Sequence, residues 1–318
     1  RVRIAALALA LVLGSGGVVG CGGDAPKTEH DQQAQTPPAN PVVVGDGKLV
    51  PIGGGRTLYI HCMGLGSPTV VLEAGYGGNS DTWSGVQRQL GATTRTCAYD
   101  RAGLGNSLPM PGVHDASDEI ADLQRLLEHA HIGPPYVLVG HSYGGLLVRL
   151  FADAHPSETA GVVLVDAMGR NATRRELAIW PRSHAPARRR DFARPVADGI
   201  NLQSGEAAAA KIQTLHDTPL VVITAGHQDA DLGNFPPRLQ RAQERLRTTM
   251  QDELAHLSAD HVHLVALRSG HFVQRPEPDG QAGVVMRAVR AVIRASRTQT
   301  SLPSCPQLFT GSAVACRT

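Results

Sequence analysis

Seven short runs rich in Val, Ile and Leu punctuate this chain: TLYIHC (57–62), TVVLEA (69–74), TRTCAYD (94–100), YVLVG (136–140), GVVLVD (161–166), LVVITA (220–225) and VHLVAL (262–267). Most are apolar at consecutive positions, so both faces of each strand must be covered. That is the condition of a parallel sheet between layers of helix. The stretches between them supply the helices. In ASDEIADLQRLLEHAHI, the side chains of Ile120, Leu123, Leu126, Leu127 and Ala130 share one face, with Ser117 as the expected N-cap. GLLVRLFADAHP stops before Pro156, and RLQRAQERLRTTMQDELAHL and VVMRAVRAVIRAS follow. Alternation of this kind specifies an α/β fold with a mostly parallel, doubly wound sheet.

At 318 residues and 42% hydrophobic, the chain has enough apolar surface for one domain with a sizeable core. A net charge of +2, with no basic stretch interleaved with aromatics, excludes nucleic acid as the expected partner.

The first twenty residues read differently. Arg1 and Arg3 precede an apolar run from Ile4 to Leu13, and small residues lead to VVGC at 18–21. A bilayer takes roughly 20 apolar residues, so residues 1–20 are expected to be a signal peptide, an N-terminal membrane anchor being the alternative. VVGC also resembles the lipobox of bacterial lipoproteins. That resemblance implies cleavage before Cys21, lipid on its sulfur, and an extracytoplasmic protein held on the membrane of the cell envelope. Residues 21–41 are polar and Pro-rich and suit a flexible tether, leaving 42–318 as the folded domain.

Without Cys21, four of the five cysteines remain: Cys62, Cys97, Cys305 and Cys316. An even set in a compartment that permits disulfides is expected to pair. Cys305 and Cys316 bracket a short tail, and closing a loop of that size stabilises by roughly 3 kcal/mol in the chain-entropy picture. A zinc site would need C-x-x-C or clustered histidines, which the spacing lacks, so no metal is expected. No motif calls for an organic cofactor either.

One interval breaks the alternation. Residues 167–217 are far longer than a usual βα connection and read as a cap over the carboxyl ends of the strands, a disordered surface insertion being the alternative. Leu177, Ile179 and Trp180 form its apolar cluster. Its many arginines are expected to be a solvated face rather than a clamp for carboxylate or phosphate.

The candidate nucleophile stands in YVLVGHSYGG. A serine hydroxyl is a poor nucleophile until a neighbouring base takes its proton. Gly140, Gly144 and Gly145 leave room for a strained turn that would lift the Ser142 side chain out of the sheet. A helix starting at Tyr143 would aim its positive end at charge developing there.

EAGYGGNSDTW, YDRAGLGNS, GHSYGG and SGHFVQRPEP occur in this order. With them the chain resembles the α/β-hydrolase fold family over nearly all of residues 48–297, the cap following the sixth strand. The resemblance implies Ser142 as nucleophile and the late His271 as base. For the acid it leaves two positions open: Asp229, after the strand from which family members most often supply it, and Asp166, which closes the preceding strand and is used in another branch. The oxyanion donors it implies are the backbone N–H groups of Tyr143 and Tyr76, with Ala74 where the family usually has histidine. YDRAGLGNS corresponds to a structural turn despite the charges of Asp100 and Arg101. The same fold makes the strands bearing Cys62 and Cys97 neighbours, which implies a Cys62–Cys97 disulfide.

The resulting expectation is a serine hydrolase cleaving small or medium carboxylic esters through an acyl-enzyme. An aminopeptidase or amidase is the nearest rival. It would need an acid in the cap, for which Glu176, Asp191, Asp198 and Glu206 are candidates. A catalytically silent envelope lipoprotein that binds a ligand is the rival from another class. Haloalkane dehalogenase chemistry is disfavoured, since it uses an aspartate nucleophile.

Overall fold

The computed structural model describes residues 47–181, 199–227, 236–311 and 313–317. The expected leader, Cys21, the tether, Asp229, and the cap residues Asp191 and Asp198 lie outside them. The strands are β1 (Lys48–Gly53), β2 (Arg56–Met63), β3 (Thr69–Glu73), β4 (Thr96–Tyr99), β5 (Tyr136–His141), β6 (Thr159–Val165), β7 (Leu220–Ala225), β8 (His261–Ala266) and β9 (Val314–Arg317). The helices are α1 (Ser84–Gly91), α2 (Ala116–His129), α3 (Tyr143–Ala154), α4 (Ala172–Ile179), α5 (Leu202–Ala209), α6 (Pro237–Ala255) and α7 (Ala282–Thr298), with a short turn of helix at Cys305–Leu308.

The strands form one sheet in the order β1-β2-β4-β3-β5-β6-β7-β8-β9. From β4 to β8 neighbours run parallel, while β1, β2 and β9 pair antiparallel at the two edges. Successive residues of the inner strands feed opposite cores. Val71, Leu138, Leu164 and Val222 pack with Leu126 of α2, Phe151 of α3 and Leu254 of α6. Val70, Val137, Val163 and Val221 pack on the other face with Val86 of α1 and Val289 of α7. Consecutive apolar residues are therefore required by the two helix layers, as the sequence implied.

Two strands had no such signal. In β1 only alternate residues are buried, and the chain includes Pro51, which an edge strand tolerates. β9 is four residues of partial exposure. The start of α2 also differs from expectation. Asp115, not Ser117, is the N-cap: its extended backbone lets the carboxylate accept from the N–H groups of Ser117 and Asp118, and Asp118 returns the bond in a capping box.

Both disulfides are present. Cys62 and Cys97 are register partners across β2 and β4 and are bonded. Cys305 is bonded to Cys316, tying the last turn of helix to β9.

In the interval after β6, α4 and α5 are the described helices. Ile200, Leu202 and Ala209 bury against Ala116, Tyr143, Leu146 and Leu147. Arg174 is exposed, as expected, and Arg182, Arg188, Arg189, Arg190 and Arg194 lie outside the described residues, but Arg170 and Arg175 do something the sequence did not suggest. Arg175 makes paired bonds of 2.6 and 3.0 Å to Glu253 of α6, and Arg170 donates to the Ala210 carbonyl at 2.6 Å. These two side chains fasten the cap instead of forming a solvated face.

Candidate active site

The strand-to-helix turn at Ser142 is held by contacts that admit no side chain. A Cβ on Gly140 would lie 2.4 Å from the Gly144 carbonyl oxygen, one on Gly144 2.5 Å from the Glu73 and Ala74 oxygens, and one on Gly145 2.3 Å from the Ala167 Cβ. With its neighbours so close, the chain turns by placing Ser142 at φ 52°, a region that favours glycine. The Ser142 N–H donates to the Val165 carbonyl at 3.1 Å, and its own carbonyl accepts from Gly145 and Met168. The serine is partly exposed at the N-terminus of α3, where backbone dipoles favour negative charge.

Asp166 follows β6 directly and turns at φ 39°. Its Oδ2 accepts from His271 Nδ1 at 2.8 Å, and its Oδ1 accepts from the Ala225 N–H at 3.0 Å and from Arg247 at 3.2 Å. Burial works to raise the carboxyl pKa, but the His271 hydrogen bond and charge, Arg247 and the Ala225 N–H together hold it below the ordinary value. The imidazole of His271 is one-third exposed, against 7% for Asp166. Of the two acids the sequence left open, Asp166 is the one seen bonded to His271; Asp229 lies outside the described residues.

His141 was passed over by sequence reasoning, although a histidine closing a strand buried throughout cannot be a surface residue. Its ring lies 4.5 Å from that of His271 and donates from Nε2 to the His271 carbonyl at 2.9 Å. Burial, then the neighbouring His271, push its pKa down to about 3, so the ring is neutral.

Against both His141 and Ser142 lies the loop after β3. A Cβ on Gly75 would sit 3.3 Å from the Ser142 Cβ, which puts Gly75 and Tyr76 beside the serine. The Tyr76 and Tyr143 rings meet edge to face at 6.1 Å. Behind them is a fully buried charge cluster. Arg101 donates to the Ala74 and Gly75 carbonyls at 2.7 and 2.8 Å and to Glu73 at 2.7 Å. Tyr143 donates its hydroxyl to Glu119 at 2.8 Å, and Tyr99 bonds to Glu73. Asp100 accepts from the N–H groups of Ser80 and Asn106, which makes it a loop fastener, as expected for that turn.

Glu206 is held inside the cap. It is 5% exposed, and its Oε1 accepts from both the N–H and the hydroxyl of Thr173 at 2.9 Å, so the cap's own fold occupies it. Among the described residues, no group of three or more His, Cys, Asp or Glu side chains is placed to hold a metal ion.

Residues 68–236 match the sequence pattern of the alpha/beta hydrolase fold. A protein of Bacillus subtilis, YqjL, is 36% identical over 106 residues, which are 33% of this chain and 42% of that one. The chain thus spans less than half the length of the curated relatives it matches. Among solved structures, a thermophilic esterase from Thermogutta terrifontis aligns with a TM-score of 0.53 at 18% identity, covering 79% of this chain and 99% of that one. The haloalkane dehalogenase DatA from Agrobacterium tumefaciens aligns equally well, at 0.53 and 16% identity over 78% and 97% of the two chains. Likeness at this distance speaks for the fold alone, and the fold carries more than one chemistry.

Proposed function

The chain belongs to the α/β-hydrolase fold family, and from that premise we propose that it is a serine hydrolase cleaving carboxylic esters through an acyl-enzyme. The observation that carries this reading is the 2.8 Å bond from His271 Nδ1 to a buried Asp166, beside a serine held at φ 52° on a helix N-terminus. Asp166 fixes the tautomer in which Nδ1 bears hydrogen and Nε2 is the base.

Ser142 Oγ attacks the ester carbonyl carbon as His271 Nε2 takes its proton. The negative charge on the carbonyl oxygen falls to the N–H groups of Tyr143 and Tyr76. The C–O bond then breaks, and the leaving alcohol takes the proton from His271. Water, deprotonated by the same nitrogen, releases the acid and restores Ser142.

The short cap helices α4 and α5, closed onto α3 and α6, support a small or medium ester. The two disulfides support an extracytoplasmic location, where such bonds persist. We place the chain there, anchored through lipid on Cys21. Of the four cap acids an amidase could use, Glu206 is committed to Thr173.

Treatment with a fluorophosphonate and intact-mass measurement tests the proposal. The wild type is expected to gain one adduct and Ser142→Ala none. Labelling of both proteins, or of neither, overturns it.

A further inference from the structure

One side chain reaches both walls of the proposed oxyanion site. We infer that Arg101 is a positioning residue that sets the direction of the two oxyanion-binding N–H groups, an inference that rests on the serine-hydrolase reading above.

In a planar trans peptide the C=O and the following N–H point to opposite sides, so fixing the oxygen fixes the hydrogen. Arg101 Nη2 holds the Gly75 carbonyl at 2.8 Å, and the Gly78 N–H holds it at 3.1 Å. The peptide unit so held is the one whose N–H belongs to Tyr76. Arg101 Nη1 holds the preceding unit through the Ala74 carbonyl at 2.7 Å. Two consecutive peptide planes beside Ser142 are therefore fixed by one planar, rigid fork. Lysine, with a single ammonium on a flexible stem, cannot reproduce that grip.

At the second wall, the guanidinium carbon lies 5.4 Å from the centre of the Tyr143 ring. Arg101 Nε is 3.1 Å from Glu119, the same carboxylate that accepts the Tyr143 hydroxyl at 2.8 Å. The Tyr143 side chain is thus anchored on the arginine and its partner, while its N–H belongs to the first residue of α3, directly after Ser142. Glu73, at 2.7 Å, gives the buried cation a second carboxylate. With Arg101 and both acids 2% exposed or less in their side chains, solvent does not compete for these bonds.

The Arg101 side chain is 2% exposed and bonded to carbonyls and carboxylates of the fold, so its effect must pass through the N–H groups it positions. Misplacing a reacting group by about 1 Å loses about 10²-fold in rate, and deleting an oxyanion donor loses roughly 10² to 10³-fold. In Arg101→Lys, kcat per fluorophosphonate-titrated site should fall about 10²-fold, with KM changed by no more than about threefold. Affinity for a trifluoromethyl ketone, whose adduct with Ser142 carries the oxyanion, should fall by the same factor as kcat. Glu119→Gln, which leaves the grip on Ala74 and Gly75, should move both quantities together by a smaller factor. It keeps the test decisive if the lysine variant does not fold.

Arg56→Lys is the matched control. Its guanidinium pairs with Asp122 at 2.5 and 2.6 Å, away from the site, and the variant should lower Tm while leaving kcat per site alone. If the Arg101 and Glu119 variants lose only Tm, as this control does, Arg101 is structural and the inference fails while the hydrolase reading stands. If the wild type takes up no fluorophosphonate, the hydrolase reading fails first and takes the inference with it.

Discussion

Among the described residues, two sets of hydroxyl, imidazole and carboxylate lie along the sheet, and the imidazole–carboxylate contact alone does not tell them apart. In one, Thr224 Oγ1 lies 2.8 Å from His263 Nε2, and His263 Nδ1 lies 3.1 Å from Asp252. In the other, His271 Nδ1 lies 2.8 Å from Asp166, and its ring is 4.5 Å from that of His141, the residue before Ser142. The difference is which end is open. Thr224 and His263 are 3% and 4% exposed, inside β7 and β8, while Asp252 is at the surface and shared with Arg317. At the proposed active site the acid is buried, the imidazole is one-third exposed, and the hydroxyl sits on a strained, partly exposed residue. A reactive set needs its buried end at the acid and its open end at the nucleophile. The strand set is the reverse and serves as a clamp between β7, β8 and α6.

The largest effect that could break this comparison is at the acids. Asp166→Asn should lower kcat about 10⁴-fold by favouring the wrong tautomer, while Asp252→Asn should leave it within about threefold; steady-state kinetics showing equal losses would dissolve the distinction.

A smaller effect concerns pH. Burial, the largest influence on His263, pushes its pKa down to about 4 from the ordinary 6.5, so it is neutral in the fold and takes up a proton on unfolding. Its share of stability is complete above pH 6.5 and is lost as pH falls towards 4, an amount on the order of 3 kcal/mol. His263→Gln should reduce the slope of urea-unfolding free energy across that window. Some slope should remain, since His141 is displaced in the same direction. Asp166, held low, adds stability above the ordinary carboxylate value and loses it only in stronger acid. A slope unchanged in His263→Gln would mean the clamp ring is already charged.

The smallest expected effect is at the buried hydroxyl. Thr224→Val leaves the His263 ring without that partner and should cost about 1–3 kcal/mol in unfolding free energy, with fluorophosphonate labelling unaltered. Slower labelling would show that the two sets communicate.

Most of the sheet was legible because burial on both faces writes itself as uninterrupted Val, Ile and Leu. β1 and β9 were not, since edge strands bury only alternate or partial faces. Ser142 and His271 could be read from the turn chemistry and order of the blocks that hold them. The acid could not, because Asp166 and Asp229 both follow strand ends and only the path of each loop decides which one meets the imidazole. His141 and Arg101 were harder still. The contacts that put them at the site are to backbone carbonyls of His271, Ala74 and Gly75, and no sequence rule names the carbonyl a buried donor will find. Glu206 shows the converse: a charge in the cap suggested recognition, and the fold had already used it.

The crowding around the Ser142 turn also divides the glycines of this chain for anyone wishing to make it more heat-resistant. Gly85 and Gly283 lie in helices α1 and α7 with nothing within 4 Å of an added Cβ. Alanine there restricts the unfolded chain at no steric expense, typically a gain of about 0.4–1 kcal/mol. Gly140, Gly144 and Gly145 offer no such gain. Evolution or engineering can harden the outer helices step by step, but the turn that presents the serine must keep its bare backbone.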